Sequence, residues 1–221
     1  MIVLGIDTST RIASVAIVDD GRALAELRGD DSARGADLLV LIDAACTAAN
    51  IGPRDLAAVA IGAGPGSFTG LRIGMATAKG IAFAAKCPLW AVSSLAALAF
   101  EELEAEPAAT VLAVLDARKG EVYAGAYHRD GDRTVPLGDE VVMAPEGIAA
   151  FAPLGASIVG DFVDVLDGHP IRTPSGAAVA RLALEGARVD VLVGGAPTYI
   201  RPSEAEVKYP DGVPGALRHR K

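Results

Sequence analysis

Short runs of β-branched and apolar residues at the start of the chain alternate with turn residues. Residues 2–6 and 12–18 are two such runs, Asp7-Thr8-Ser9-Thr10 separates them, and Asp19-Asp20-Gly21 precedes an alternating third run. Turn residues between runs of this kind are typical of antiparallel hairpins. The pattern therefore predicts a three-stranded meander.

The spacing of the apolar residues then changes to the period of a helix. The helical spacing begins after Asp37, a residue that can cap a helix. It ends at Asn50-Ile51-Gly52-Pro53, a sequence that terminates helices. One helix is predicted between these signals. The elements predicted next are a strand at 57–61, a glycine-rich loop at 62–66, a helix at 69–85, a strand at 89–92 and a helix at 94–104.

After residue 106 the pattern restarts. A strand at 112–116 ends in Asp116, a turn and a second strand at 121–127 follow, and Asp130-Gly131 supplies the next turn. The first unit has the same order, which indicates duplication of one sheet-first unit, although two matches can also be coincidence. We predict a first lobe at 1–106, a reduced second lobe at 107–209 with helices at 145–150 and 176–187, and a mobile basic tail at 210–221.

The composition narrows the class of protein. Of the 221 residues 51% are hydrophobic, but no apolar run reaches the roughly 18 residues that a membrane span needs. The start of the chain lacks the pattern of a signal peptide, and two cysteines are too few for a disulfide framework. A formal charge of −8 disfavours independent binding of nucleic acid. We expect a cytoplasmic protein without a membrane partner.

Two strand ends carry weak candidates for a nucleotide site. Asp7-Thr8-Ser9 lies where actin-like kinases and ATPases place a phosphate-wrapping turn, but Ser9 stands where that turn needs glycine. Local hydrogen bonds within a strand-to-strand turn are the alternative explanation. Asp116 lies at the corresponding strand end of the second unit. Gly194-Gly195 resembles an adenosine-side glycine pair, but a bare glycine pair is more typical of a loop.

The sequence offers little support for metal-dependent or nucleophilic catalysis. The three histidines, His128, His169 and His219, are scattered, so no metal site is predicted, and no cofactor is expected. Neither cysteine has the setting of a nucleophile. Ser67 lies between glycines, and a helix cap at Ser67 or Thr69 is more typical of such a loop than a nucleophile elbow. We therefore expect no catalytic residues.

Several longer motifs resemble the TsaB family, also called YeaZ. The first is Gly64-Pro65-Gly66-Ser67-Phe68-Thr69-Gly70-Leu71-Arg72-Ile73-Gly74, followed by Ala78-Lys79-Gly80 and Val92-Ser93-Ser94-Leu95. The others are Asp7-Thr8-Ser9, Asp116-Ala117-Arg118 with Glu121-Val122-Tyr123, and Tyr199-Ile200-Arg201. The matches run in order through nearly the whole chain. One departure is Arg34-Gly35-Ala36, where many members have a His-Ser-Glu-like triplet.

The resemblance implies a two-lobed actin-like (ribonuclease H-like) α/β fold with mixed sheets and a reduced second lobe. It also implies a non-catalytic subunit that pairs with a larger, catalytic, TsaD-like paralogue and with a small, TsaE-like ATPase. Such complexes make N6-threonylcarbamoyladenosine (t6A) in tRNA, which this chain would contact only indirectly. A stand-alone actin-like kinase, ATPase or glycoprotease-like enzyme is the alternative.

The predicted partner surface lies on the first two helices. Gly70, Gly74, Ala78 and Ala82 form a row of small residues at i, i+4 spacing. Each glycine inside a helix costs about 1 kcal/mol relative to alanine, so something must pack closely against this row. A helix of the same chain is one explanation, and a helix of another subunit, including a second copy in a homodimer, is the other. The residues expected at the partner interface are Leu38, Leu41, Ile42, Ala45, Gly70, Ile73, Gly74, Thr77, Ala78 and Ile81.

Overall fold

A computed structural model describes residues 1–30, 38–162 and 171–200, and these residues form two β-sheets and five α-helices. The strands are β1 (Ile2–Asp7), β2 (Ser14–Asp19), β3 (Arg22–Arg28), β4 (Ala58–Gly62), β5 (Leu89–Val92), β6 (Thr110–Arg118), β7 (Glu121–Asp130), β8 (Arg133–Pro136), β9 (Val141–Met143), β10 (Ser157–Gly160) and β11 (Val189–Asp190). The helices are α1 (Leu38–Ala49), α2 (Phe68–Ala85), α3 (Ser94–Ala105), α4 (Ile148–Phe151) and α5 (Gly176–Leu184), with 3₁₀ turns at Pro53–Asp55 and Pro145–Gly147.

The first sheet contains six strands in the order β11-β5-β4-β1-β2-β3. The strands β1, β2 and β3 form the predicted antiparallel meander, whereas β4 and β5 continue the sheet in parallel beside β1. Parallel strands need a crossover, and α2 supplies it between β4 and β5. At the far edge, β11 pairs antiparallel with β5. A segment from late in the chain therefore completes the first sheet.

The second sheet contains five strands and is also mixed. Its order is β10-β6-β7-β8, and β9 pairs with the other half of β7. The central hairpin of β6 and β7 is the predicted repeat of β1 and β2, and β10 lies parallel to β6. The strands β8 to β11 are only two to four residues long, too short to give a clear alternating pattern in the sequence.

The two faces of the first sheet pack against different helices. Val3 and Ala16 face the core that contains α3 and α5, whereas their neighbours Leu4 and Ile17 face the core under α1 and α2. This alternation follows from the two-residue period of a strand. The first of these cores continues into the second sheet through Val111 and its neighbours, so α3 and α5 lie between the two sheets. The opposite face of the second sheet packs against α4.

Most of the predicted elements are confirmed within a few residues. The helical pattern predicted to reach Ala187 instead ends at Leu184, and Gly186 follows with φ +96°. Gly194-Gly195 lies in a turn and the irregular segment after it, as the loop explanation predicts. The cap at Asp37, the segment Arg34-Gly35-Ala36 and the tail at 210–221 lie outside the described residues. The lobe boundaries and the duplication stay predictions.

Within the described residues, none of the helices combines the length and the apolar character that crossing a membrane requires.

Candidate functional site

The turn after β1 is a buried network of polar side chains. Asp7, Thr8 and Ser9 are at most 5% exposed. Asp7 Oδ1 accepts hydrogen bonds from the Ser9 amide at 2.8 Å and from Ser9 Oγ at 2.6 Å, and Asp7 Oδ2 accepts one from Ser94 Oγ at 2.8 Å. Ser94 is the first residue of α3, so the carboxylate of Asp7 links the turn to that helix. The amide and hydroxyl of Ser9 are used within the turn itself, which is the local bonding expected of such a turn.

The N-terminal end of α2 rests directly on this turn. The Ser67 amide donates to the Ser9 carbonyl at 2.6 Å, and Thr8 Oγ1 donates to the Gly70 carbonyl at 2.9 Å. Ser67 caps α2, since its hydroxyl accepts from the Gly70 amide at 3.3 Å. Of the two cap candidates in the loop, the structure therefore selects Ser67.

Glycine is required where α2 meets the turn, because no side chain fits there. A Cβ on Gly74 would lie 2.1 Å from Thr8 Oγ1, and a Cβ on Gly70 would lie 2.1 Å from the Thr8 carbonyl oxygen. A Cβ on Gly66 would lie 2.4 Å from the Ser9 carbonyl oxygen. Real Cβ atoms do not approach other atoms this closely. The glycines thus allow α2 to lie against the backbone of its own chain.

This packing corrects part of the expected partner interface. The sequence left open whether the small-residue row faces its own chain or another subunit, and Gly70 and Gly74 face Thr8 of the same chain. Ala78 has no exposed surface. The space beside Gly74 is therefore already filled by its own chain, and a bulky side chain there is expected to destabilise the isolated protein.

Burial changes the acidity of Asp7. Loss of water raises the pKa of this carboxyl from 3.8 to about 6, and the hydrogen bonds from Ser9 and Ser94 offset only part of that effect. A carboxyl whose folded pKa is raised is protonated more readily in the folded protein than in the unfolded chain. Its contribution to stability is therefore fully present below about pH 4 and is lost as the pH rises through about 6.

We predict that Asp7→Asn removes this pH-dependent contribution. The amide can keep the bonds to Ser9 through its oxygen and can donate to Ser94 Oγ without carrying a charge. Relative to the Asp7→Asn variant, the wild type should lose about 3 kcal/mol of unfolding free energy at most between pH 4 and pH 7. Urea unfolding of both proteins across this range measures the difference. A difference that stays constant with pH would contradict the assignment.

The fourth nucleotide-site candidate, Asp116, lies on the other sheet. It lies in β6 just after the residues that pair with β10, and its amide donates a hydrogen bond to Asp161 Oδ1 at 2.8 Å. Its own carboxylate accepts from the Arg118 amide and from Arg118 Nη1, both at 2.7 Å. Burial, followed by the neighbouring charge of Asp116, raises the pKa of Asp161. No hydrogen bond between described residues joins Asp116 to Asp7, and a nucleotide role for either stays a prediction.

The expected interface residues on α1 divide into two groups. Leu38, Ile42 and Ala45 are at most 6% exposed and belong to the core under α1 and α2, whereas Leu41 is half-buried. On α2, Ile73, Thr77 and Ile81 are also half-buried. The buried members hold their helices on the first sheet. Only the half-buried members can reach a partner.

The outward face of these two helices is apolar as well. Leu39 and Val40 on α1 are 62% and 66% exposed, and Phe83 on α2 is 79% exposed. Sequence reasoning did not include these three residues, because the helical period selects the buried face. An open groove of about 640 Å³ lies between α1, the 3₁₀ turn and α2. The residues lining it are Leu4, Leu39, Ile42, Asp43, Cys46, Thr47, Asn50, Ile51, Gly52, Pro53, Leu56, Gly80, Ile81 and Ala84.

A groove of this kind can receive the side chains of another helix. Its lining is mostly apolar, and Asp43 is the only carboxylate among the described residues that line it. Gly80 lies beside the groove, and nothing within 4 Å occupies the space where its Cβ would be. A mostly apolar groove between two helices that also expose large apolar residues is typical of a protein–protein contact. The arrangement therefore defines a candidate interface, which we call the α1/α2 face.

The described residues include no group of three or more His, Cys, Asp or Glu side chains placed to hold a metal ion.

Comparison with known proteins agrees with this architecture. A family model described as TsaD: tRNA N6-adenosine threonylcarbamoyltransferase matches residues 35–193. The tRNA threonylcarbamoyladenosine biosynthesis protein TsaB of Bacillus subtilis is 30% identical over 233 residues, which cover 95% of this chain and 98% of that protein. TsaB of Escherichia coli is 38% identical over 152 residues, 66% of this chain, and the match spans 64% of the length of that relative.

A solved structure extends the likeness to three dimensions. A crystal structure from Pseudomonas aeruginosa, described as an uncharacterized protein with similarity to peptidase YeaZ, has a TM-score of 0.76 and 31% identity. It covers 90% of this chain and 99% of that one. The fold is thus the predicted two-lobed actin-like α/β class with mixed sheets. The chain belongs to the TsaB (YeaZ) family.

Proposed function

We propose that this chain acts in t6A biosynthesis as a non-catalytic subunit that binds a catalytic, TsaD-like paralogue. The TsaB names of its relatives support the pathway. The α1/α2 face supports the role as a binding partner, and it is the observation that carries the proposal. Leu39 lines the open groove, and Val40 and Phe83 are exposed on the same two helices, so this face carries an apolar surface that another protein would cover.

The proposed contact is a helical bundle in which the partner's helices lie along α1 and α2. Packed helices approach to about 8–10 Å between their axes, and they come closest where the side chains are small. The exposed positions Ala76, Gly80 and Ala84 give α2 such a surface. Side chains from the partner would enter the groove, while Leu39 and Phe83 would cover its rim. In the absence of the paralogue, we expect a second copy of this chain to cover the same face.

The remaining parts of the proposal concern the assembly. A small, TsaE-like ATPase would join the two subunits, and tRNA would bind the complex rather than this chain alone. The formal charge of −8 supports this division, because affinity for nucleic acid comes largely from Lys and Arg side chains. We place the assembly in the cytoplasm, where tRNA is modified.

Reconstitution tests the proposed role. We predict that the chain alone makes no t6A, and that adding it to the paralogue, the ATPase, a threonylcarbamoyl donor and a tRNA that reads codons beginning with A gives product. Omitting only this chain should remove most of the product. Nucleoside analysis of the tRNA measures the outcome. Transfer by the chain alone would contradict the proposal, and ATP turnover or glycoprotein cleavage by it would favour the alternative, a stand-alone enzyme.

A further inference from the structure

Two motifs that are far apart in the sequence meet at one end of α2. Phe68 and Arg72 belong to the glycine-rich motif and its helix, and Tyr199 belongs to the motif near the end of the chain. The rings of Phe68 and Tyr199 lie 5.3 Å apart at an angle of 35°. Arg72 Cζ lies 3.8 Å from the centre of the Phe68 ring, and Arg72 Nε donates to Tyr199 Oη at 3.2 Å. We call these three residues the arginine cluster.

The segment that carries Tyr199 is held by backbone hydrogen bonds to the first sheet and the loop after it, and by one side chain of α2. The Val191 amide donates to the Leu89 carbonyl at 2.9 Å, and the Thr198 amide donates to the Ala63 carbonyl at 2.7 Å. Between these two points, Lys79 Nζ donates to the Gly195 carbonyl. These contacts fix the position of Tyr199 beside Phe68 and Arg72. The cluster is thus formed when the chain folds, and these hydrogen bonds hold it in place.

The guanidinium of Arg72 is held in one orientation, but only some of its hydrogen-bond donors are paired. It lies over an aromatic face, and its Nε is bonded to a phenol oxygen. Among the residues that the structure describes, none accepts a hydrogen bond from Nη1 or Nη2 of Arg72. Arg72 is exposed, and Phe68 and Tyr199 are each 39% exposed. Stacking removes rotational freedom before any ligand arrives, which lowers the entropy cost of binding one.

We propose that the arginine cluster binds a carboxylate of the catalytic paralogue and anchors that subunit at one end of the α1/α2 face. The planar fork of an arginine matches a carboxylate, which can accept two parallel hydrogen bonds. Arginine and tyrosine held in place near a contact surface are frequent hot spots of binding energy. The inference rests on the proposed function, since it names a contact made by the same partner.

The position of the cluster favours a protein carboxylate over a nucleic-acid phosphate. Residues 72, 76 and 83 follow helical spacing along one stripe of α2, and both Ala76 and Phe83 are exposed. A subunit that covers Phe83 would therefore extend toward Arg72. A nucleic acid would need several cations in a row, but the nearby Lys79 already donates to a carbonyl and the chain has a charge of −8.

Calorimetric titration with the paralogue tests this contact. Arg72→Met keeps an apolar chain over the Phe68 ring and removes the charge, and we expect it to weaken binding at least about tenfold. Arg72→Lys should also weaken binding, because a lysine cannot form the two parallel bonds. Tyr199→Phe should weaken it less, because it frees the arginine without removing it. Arg133→Met, a change of an exposed arginine on β8, is the matched control and should bind like the wild type.

The salt dependence and the melting temperature complete the test. Binding of the wild type should weaken with added sodium chloride more steeply than binding of the Arg72→Met variant, and both proteins should melt at similar temperatures. Unchanged affinity of Arg72→Met for the paralogue would overturn the inference. So would a loss of tRNA affinity by the assembled complex with paralogue binding intact, since it would assign the cluster to a phosphate. If the wild type itself fails to bind the paralogue, the proposed function fails instead.

Discussion

Gly74→Leu is expected to destabilise the isolated protein by about 3 kcal/mol or more, and this is the largest effect on the fold that we predict. The new Cβ would lie 2.1 Å from Thr8 Oγ1 and 3.2 Å from Thr8 Cβ, so the helix or the turn would have to move. The movement would also strain the bond from Thr8 to the Gly70 carbonyl. Thermal melting should fall by about ten degrees in a protein of this size.

Gly80→Leu is the matched control on the same helix. Gly80 is exposed, and no atom lies within 4 Å of the position where its Cβ would be. Replacing a glycine inside a helix should stabilise the isolated chain by up to about 1 kcal/mol. A melting temperature of Gly74→Leu that matched the control would show that α2 does not rest on the Thr8 turn.

The same control variant should have the largest effect on partner binding. A leucine at residue 80 would project beside the groove between α1 and α2, where a helix of the partner would lie. Overpacking a close helix contact pushes the helices apart, so binding to the paralogue should weaken by at least about a hundredfold although the isolated chain is more stable. Opposite effects on stability and on binding distinguish a contact surface from a core.

Phe83→Asp tests the face independently of the groove. The side chain is 79% exposed, so the substitution should change the melting temperature by only a few degrees. It would place an unpaired charge inside the proposed contact, which should also remove most of the binding. Leu154→Asp replaces a fully exposed apolar residue that lies between α4 and β10, away from the α1/α2 face. That control should bind the paralogue like the wild type.

Local patterns in the sequence were sufficient for the main elements of the fold. The meander, α1 and α2 follow from turn residues and from the helical spacing of apolar residues, which are properties of neighbouring positions. Ser67 was one of two cap candidates for the same reason. The short strands β8 to β11 were missed because strands of two to four residues show no period, whereas the equally short β5 was predicted as an apolar run between two helical patterns. Pairing of β11 with β5 depends on tertiary contacts across about half of the chain.

Prediction of the candidate interface from the sequence was limited in a different way. Helical periodicity pointed to Leu38, Ile42 and Ala45, which are the residues that α1 buries in its own core. A signal for the outward face was nevertheless present, since α1 reads Leu-Leu-Val-Leu-Ile-Asp-Ala-Ala-Cys-Thr-Ala-Ala and is apolar on nearly all sides. A helix of that kind is normally buried all round. Leu39 and Val40 could therefore have been selected from the sequence as partner-facing residues.

Contacts between distant motifs could not be predicted from spacing at all. Thr8 lies against Gly74, and Tyr199 lies against Phe68 and Arg72, because the strand order of the first sheet brings these segments together. The glycine row indicated close packing, but it did not show which segment packs against the row. The structure shows that this segment is the turn after β1. That turn, predicted as a weak phosphate site, holds the helix that we propose binds the second subunit.

Titration of the purified TsaD-like paralogue with this chain is the most direct test of the account. We predict saturable binding by the wild type and by Leu154→Asp, together with loss of most of the binding by Gly80→Leu and Phe83→Asp. All four proteins should first be shown to melt cooperatively. Absence of binding by the wild type, or equal binding by all four, would contradict the claim that the α1/α2 face is the site where this chain meets its catalytic partner.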